Sequence, residues 1–247
     1  MDTERFVSAV LDIGEKMLVS GAEISRVEDT MTRICRAYKA QRAEAFTITS
    51  VIILTAGFEG EKSCTLMRRV GAYKTDLEYL NGLNDFSRRV CRDTPPLEEL
   101  CAGIMSIGEK PYPAFVRFIT YSIIAASFSL YSGGSPKDAL VSAFIGVLLA
   151  GLSGYFEKLS INKIFSVFCS SLFCGAAAAA FVSFGAGDSV DNIIIGNIMS
   201  LVPGLALTNS VRDMINGDVV SGLMRLSESI FIAVAIAAGF AMSTAFL

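Results

Sequence analysis

Five apolar stretches dominate the second half of this 247-residue chain, at about 112–131, 138–156, 163–184, 190–209 and 227–247. Each is close to the ~20 residues an α-helix needs to cross the hydrocarbon core of a bilayer. The charges divide the chain the same way, because residues 1–110 hold 15 of the 21 Lys+Arg and 17 of the 24 Asp+Glu. Two regions in two solvents are expected. One is a soluble domain over 1–110, and the other a membrane domain of about five transmembrane helices over 111–247. The fold class is an α-helical polytopic membrane protein with an N-terminal α+β soluble domain.

The N-terminal region alternates between two periodicities. Phe6, Val10, Leu11, Met17 and Leu18 recur at helical spacing and predict a helix ending near Val19. Ser20-Gly21-Ala22-Glu23 has the S-x-x-E form of a capping box for a second helix, whose apolar stripe is Ile24, Val27, Met31, Ile34 and Tyr38. Phe46–Thr49 and Val51–Thr55 are rich in β-branched residues, and Ser63–Val70 reads as a strand returning after a turn at 57–61, as in a small hairpin or sheet. Helical patterns return over 77–91 and after Pro95-Pro96.

Composition excludes several chemistries. There is no histidine, so Ser-His and Cys-His catalysis are absent, and no CxxC pair marks a metal site. No cofactor motif is present and no Walker A sequence supports ATP coupling. A net charge of −3 without a basic patch argues against nucleic-acid binding. The charged start, Met1-Asp2-Thr3-Glu4-Arg5, lacks the apolar run of a signal peptide, so the first domain is expected in the cytoplasm. Lys158 and Lys163 then mark an inner loop, as do Arg212 and Arg225. The loops near Lys137 and at 185–189 are poorer in positive charge and are assigned outside. This gives a multi-pass protein of the cell inner membrane with the C-terminus outside.

Small residues recur at every fourth position in three spans: Ser142/Gly146/Ala150/Gly154, Gly196/Ser200/Gly204/Thr208 and Ser229/Ala233/Ala237/Ala241. Such faces let helix backbones approach closely in lipid. Polar groups inside spans are costly and mark candidate sites. The stretch 190–209 holds most of them: Asn197, Thr208 and Asn209 flank Pro203-Gly204, with Arg212 and Asp213 just beyond. A helix broken there resembles the discontinuous helices at which transporters bind substrate. Arg117, one turn inside the first span, either snorkels to the headgroups or meets a substrate carboxylate. Glu228 opens the last span as a helix-dipole partner or a proton carrier for coupling.

Two runs carry a family resemblance. Leu201-Val202-Pro203-Gly204-Leu205-Ala206-Leu207-Thr208-Asn209-Ser210-Val211-Arg212-Asp213, followed by Gly217-Asp218 and Ser221-Gly222-Leu223, Arg225 and Leu226, resembles the signature of the threonine/serine exporter family. So does Ser20-Gly21-Ala22-Glu23 with Arg26, Val27, Glu28, Met31 and Arg33. The resemblance implies a secondary exporter of small polar metabolites, driven by the proton-motive force. It is closest to the short, split form, whose other half is a second small membrane subunit. A homo-oligomer is the other assembly considered. The split form is associated with dicarboxylate (succinate) export, which is the alternative cargo. A regulatory subunit and a membrane-anchored hydrolase are weaker readings, since no nucleophile–base pair is legible among Glu23, Glu28 and Asp29.

Overall fold

The computed structural model describes residues 2–71, 73–108 and 112–245, without the Thr244 side chain. The domain junction expected at 110/111 and the end of the last apolar stretch lie outside the described residues. By its internal contacts the chain separates into two compact units, Met1–Lys110 with Leu205–Leu226, and Pro111–Gly204 with Ser227–Leu247.

In the first unit, α1 (Thr3–Val19) and α2 (Ile24–Ala37) lead into an antiparallel sheet of β1 (Arg42–Ile48), β2 (Val51–Gly57) and β3 (Cys64–Arg69), in that order. α3 (Leu77–Asp93) and α4 (Leu97–Ser106) follow. The apolar stripes of α1 and α2 become core: Phe6, Val10, Met17, Ile24, Met31 and Ile34 are fully buried beside Ile52 and Leu54 of the sheet. Burying each such side chain contributes on the order of 1.5–3 kcal/mol.

The Ser20–Glu23 motif acts differently from its reading as a capping box. Gly21 N–H bonds to Leu18 O at 3.1 Å and Ala22 N–H to Met17 O at 3.0 Å, the paired bonds of a Schellman motif closing α1. That motif needs a left-handed residue, and Gly21 has φ +98°. Ser20 therefore caps the end of α1, its hydroxyl donating to Lys16 O. Glu23 holds the N-cap position of α2 but makes no side-chain capping bond.

The second unit contains α5 (Ala114–Tyr131), α6 (Pro136–Lys158) and α7 (Lys163–Ser183), with α8 (Val190–Ile198) packed against them. The final helix, α10 (Val219–Ala245), has its first residues in the first unit and the remainder in the second. Among the described residues, four helices, α5, α6, α7 and α10, are long and apolar enough to cross a membrane. The chain is thus a polytopic helical membrane protein with a small α+β region. The stretch 190–209, expected as one span, is instead α8 and α9 (Gly204–Ile215), separated by turns at 199–202. Pro203 lacks the N–H that would continue the helix, so the break falls where Pro203-Gly204 predicted it.

The small-residue faces divide accordingly. Ser142, Gly146, Ala150 and Gly154 of α6 are buried, and a Cβ added at Gly146 would stand 2.7 Å from Tyr121 O of α5. Gly196 of α8 lies tightly against Ala125 O and Ser129 of α5. In α10 the expected face is not the packed one: Ala233, Ala237 and Ala241 are exposed, while Ser229, Ile232, Ile236 and Gly239 are buried. Bulky Ile232, Ile236 and Phe240 have joined the core cluster of this unit, which every-fourth spacing alone did not foresee.

Where backbone oxygen fills the space, no rotamer change can relieve an added methyl. Gly196→Ala should therefore lower the unfolding temperature of the purified protein in detergent by the equivalent of about 1–3 kcal/mol. Gly151→Ala, whose methyl would meet Phe118 at an ordinary 3.6 Å, should not. Equal stability of the two variants would refute this packing.

Candidate functional site

Asp213 sits fully buried on α9 and is the hub of the first unit's polar contacts. One carboxylate oxygen accepts the Ile24 N–H at 3.2 Å, giving α2 the N-terminal acceptor that Glu23 does not supply. The other oxygen pairs with Arg225 Nη1 at 3.0 Å. Arg225 is itself buried, donates through Nη2 to Ala22 O at 3.1 Å and lies over the Tyr73 ring. Burial pushes the Asp213 carboxyl above the ordinary carboxylate range, against the opposing pull of Arg225 and the Ile24 N–H.

The neighbouring residues complete the clamp. Asn209 donates to Gly21 O at 3.0 Å, Arg212 pairs with Glu23, and Asn216 bonds to Ser25 Oγ at 3.2 Å. Gly217, at φ +99°, turns the chain so that Asp218 N–H returns to Asp213 O. Residues 209–225 thus bind one group from each residue of the 21–25 segment, about 190 positions away in sequence. The two signature runs noticed in the sequence meet here.

The expected site residues do not form one cluster. Asn209, Arg212 and Asp213 are together in this clamp, with their polar groups bonded to the chain itself. Thr208 is exposed on α9, Pro203 lies in the helix break and Gly204 opens α9. Arg117 pairs with Glu157 at 3.4 Å, between the start of α5 and the end of α6. Glu228 pairs with Lys163 at 3.5 Å, between α10 and the start of α7. Asn197 is different. It is buried on α8, its amide donating to Ile193 O at 3.0 Å while its Oδ1 has no partner among the described residues.

Asn197 has company, of which sequence reasoning missed Ser129 and Ser142 as polar candidates. Ser129 of α5 and Ser142 of α6 are fully buried, and their hydroxyls, like that of Ser200 just past α8, have no partner among the described residues. α5, α6 and α8 all pack on one another, and Ser129 abuts Gly196. A buried oxygen without a partner costs roughly 1–3 kcal/mol, so several on three touching helices are an unusual concentration. The signal available in the sequence was only two serines at small-residue positions. A second missed residue is Asp138, 1% exposed, which accepts Ser135 N–H at 2.9 Å, Asp188 N–H at 2.7 Å and Ser189 N–H at 3.0 Å. It ties the start of α6 to the segment entering α8.

Breaking one side of a buried ion pair leaves the other charge uncompensated. Asp213→Ala should destabilise the first unit by about 3–5 kcal/mol, read as faster limited proteolysis and earlier thermal unfolding. Asp213→Leu combined with Arg225→Met should recover much of that loss. If the double variant is as unstable as the single one, the pair is not what holds α9.

The family model described as "Putative threonine/serine exporter" matches residues 8–247. The chain is 22% identical over 98% of its length to "Probable threonine/serine exporter" of Mycobacterium tuberculosis, covering 46% of that protein. It is 21% identical over 92% of its length to "Threonine/serine exporter" of Corynebacterium glutamicum, covering 48% of it. It therefore spans about half the length of these two relatives. "Probable succinate transporter subunit YjjP" of Klebsiella aerogenes is also 21% identical, over 92% of the chain, and 88% of that protein is covered. No solved structure matches. With a family match over nearly all its residues, the chain belongs to the threonine/serine exporter family, a family of transporters.

Proposed function

We propose that this chain is one half of a secondary exporter that moves threonine- and serine-type amino acids outward across the inner membrane, driven by the proton-motive force. The observation that carries the reading is the set of unpartnered buried oxygens at Asn197, Ser129, Ser142 and Ser200. In an apolar bundle, hydrogen-bonding capacity left open beside a broken helix suits a polar solute that sheds water as it passes. Substrate binds there, with Pro203-Gly204 as the flexible end of the path. Asn209, Arg212 and Asp213 hold α9, and Arg117 and Glu228 guard helix ends, Glu228 being the carboxylate available for coupling. The other half of the pathway comes from a second small membrane subunit, a reading supported by the chain's match to 88% of a relative named as a transporter subunit.

The topology follows from parity. Leu205–Leu226 shares a compact unit with the N-terminal residues, so both belong on one side of the membrane. Between them α5, α6 and α7 cross three times, and the α8 segment supplies the fourth crossing. At 9 residues α8 covers only about 13 Å, so the turns at 199–202 complete the passage. Helix-end contacts agree: Arg117–Glu157 and Lys163–Glu228 lie at one set of ends, Lys137–Asp188 and Asp138–Ser189 at the other. Positive loops put the first set and the N-terminal domain in the cytoplasm, and α10 then leaves the C-terminus outside.

A second reading, export of a dicarboxylate such as succinate, is favoured by one observation: the chain matches 88% of the Klebsiella aerogenes relative named as a probable succinate transporter subunit. Both are tested by co-expressing the chain with its candidate partner in cells loaded with threonine, serine or succinate. Efflux of threonine and serine, abolished by a protonophore and reduced about tenfold or more by Asn197→Ala, is expected. Efflux of succinate alone selects the second reading, and no efflux of any of them refutes both. A C-terminal phosphatase reporter, active only outside the cytoplasm, should be active; an inactive fusion that reaches the membrane overturns the five-crossing topology.

A further inference from the structure

A groove of about 530 Å³ runs between α2 and α3 in the first unit. Four guanidinium groups line it, Arg26 and Arg33 from α2 and Arg88 and Arg92 from α3, with a single carboxylate, Asp29. The arrangement follows from helical spacing. Arg26, Asp29, Thr30 and Arg33 fall at i, i+3, i+4 and i+7, and Asn84, Ser87, Arg88, Cys91 and Arg92 fall at i, i+3, i+4, i+7 and i+8 on the facing helix. Both helices turn their apolar stripes to the core, so their polar edges converge on this seam.

We propose that this groove binds a small phosphate-bearing metabolite, separately from the transported solute. Three of the arginines have carboxylate neighbours: Asp29 for Arg33 at 2.8 Å, Asp85 for Arg88 at 4.0 Å and Asp93 for Arg92 at 2.8 Å. All three pairs are largely exposed to water, where such pairs contribute little. Only Asp29 lines the groove itself, so the lining carries an excess of three positive charges. Arg26 has no ion pair among the described residues. Guanidinium forks on two opposed walls suit a phosphate, whose oxygens accept paired N–H bonds from both sides. The Thr30 and Ser87 hydroxyls and the Asn84 amide offer hydrogen bonds to a hydroxylated body, and the volume exceeds what a bare phosphate fills. A groove this polar has no use for an apolar peptide or an acyl chain. The occupant is therefore a soluble phosphomonoester or nucleotide, and a phosphate-bearing lipid headgroup is the other source of the same chemistry.

The test uses the full chain in nanodiscs of neutral lipid, titrated with inorganic phosphate and with adenosine monophosphate at constant ionic strength. Saturable binding is expected, tighter for the nucleotide, and weakened at least tenfold by Arg26→Gln with Arg88→Gln. Asp29→Asn, which removes the only carboxylate in the groove, should tighten binding several-fold, an effect that a damaged fold would not produce. No saturable binding, or affinities unchanged in both variants, would overturn the proposal. Nanodiscs containing phosphatidylglycerol separate the two sources. Undiminished nucleotide binding in them supports the soluble ligand, whereas loss of binding by competition, relieved in neutral lipid, refutes it in favour of the headgroup.

Discussion

The buried Asp213–Arg225 pair, clamped onto the 21–24 segment, is the interaction on which the arrangement of this chain depends. An ion pair taken out of water is stabilising only if its remaining hydrogen-bonding capacity is met. Here it is met by backbone groups that had lost their own partners: the first N–H of α2 and the carbonyl of Ala22 after the end of α1. Two helix termini and two buried charges complete one another. That exchange explains why a segment some 190 residues downstream is held in the N-terminal unit, and why α9 turns Asn209, Ser210 and Asp213 inward while Leu207, Val211 and Ile215 are exposed.

The break at Pro203-Gly204 has a consequence for the bundle. Had 190–209 continued as one straight helix, its small residues would have formed a single packing face. Instead, Gly196 packs against α5 while Gly204 and Thr208 are exposed beyond the break. The helix ends early, and Asn197 in its last turn and Ser200 just past it have polar atoms without a partner among the described residues. In lipid such groups are tolerated only where protein or a water-filled path surrounds them. This is the physical basis for the proposal that the solute passes at the end of α8.

Most of the secondary structure was legible from the chain. Apolar periodicity located α1 to α4, the three strands and the long apolar helices, because burial from water or exposure to lipid dictates those patterns directly. Two local motifs misled. Ser20-x-x-Glu23 satisfies the form of a capping box, yet the φ +98° of Gly21 makes it the end of a helix. In α10, small residues at every fourth position suggested a packing face, but Ile232, Ile236 and Phe240 bury more apolar surface and turn the helix the other way. Where a small-residue seam and a larger apolar stripe compete, the packing partners decide.

The sequence by itself determined the division into an α+β region and a membrane region, the break at Pro203-Gly204 and the family signature, because each rests on local composition or spacing. Only the tertiary structure decided what the signature residues do. Asp213, Arg225 and Asn209 are interpretable once the backbone groups of Gly21, Ala22 and Ile24 are known to face them. Likewise Ser129, Ser142 and Asn197 are ordinary polar residues until three helices close around them and leave their oxygens without partners. Hydrogen bonds between distant segments carry no periodicity, so no reading along the chain contains them.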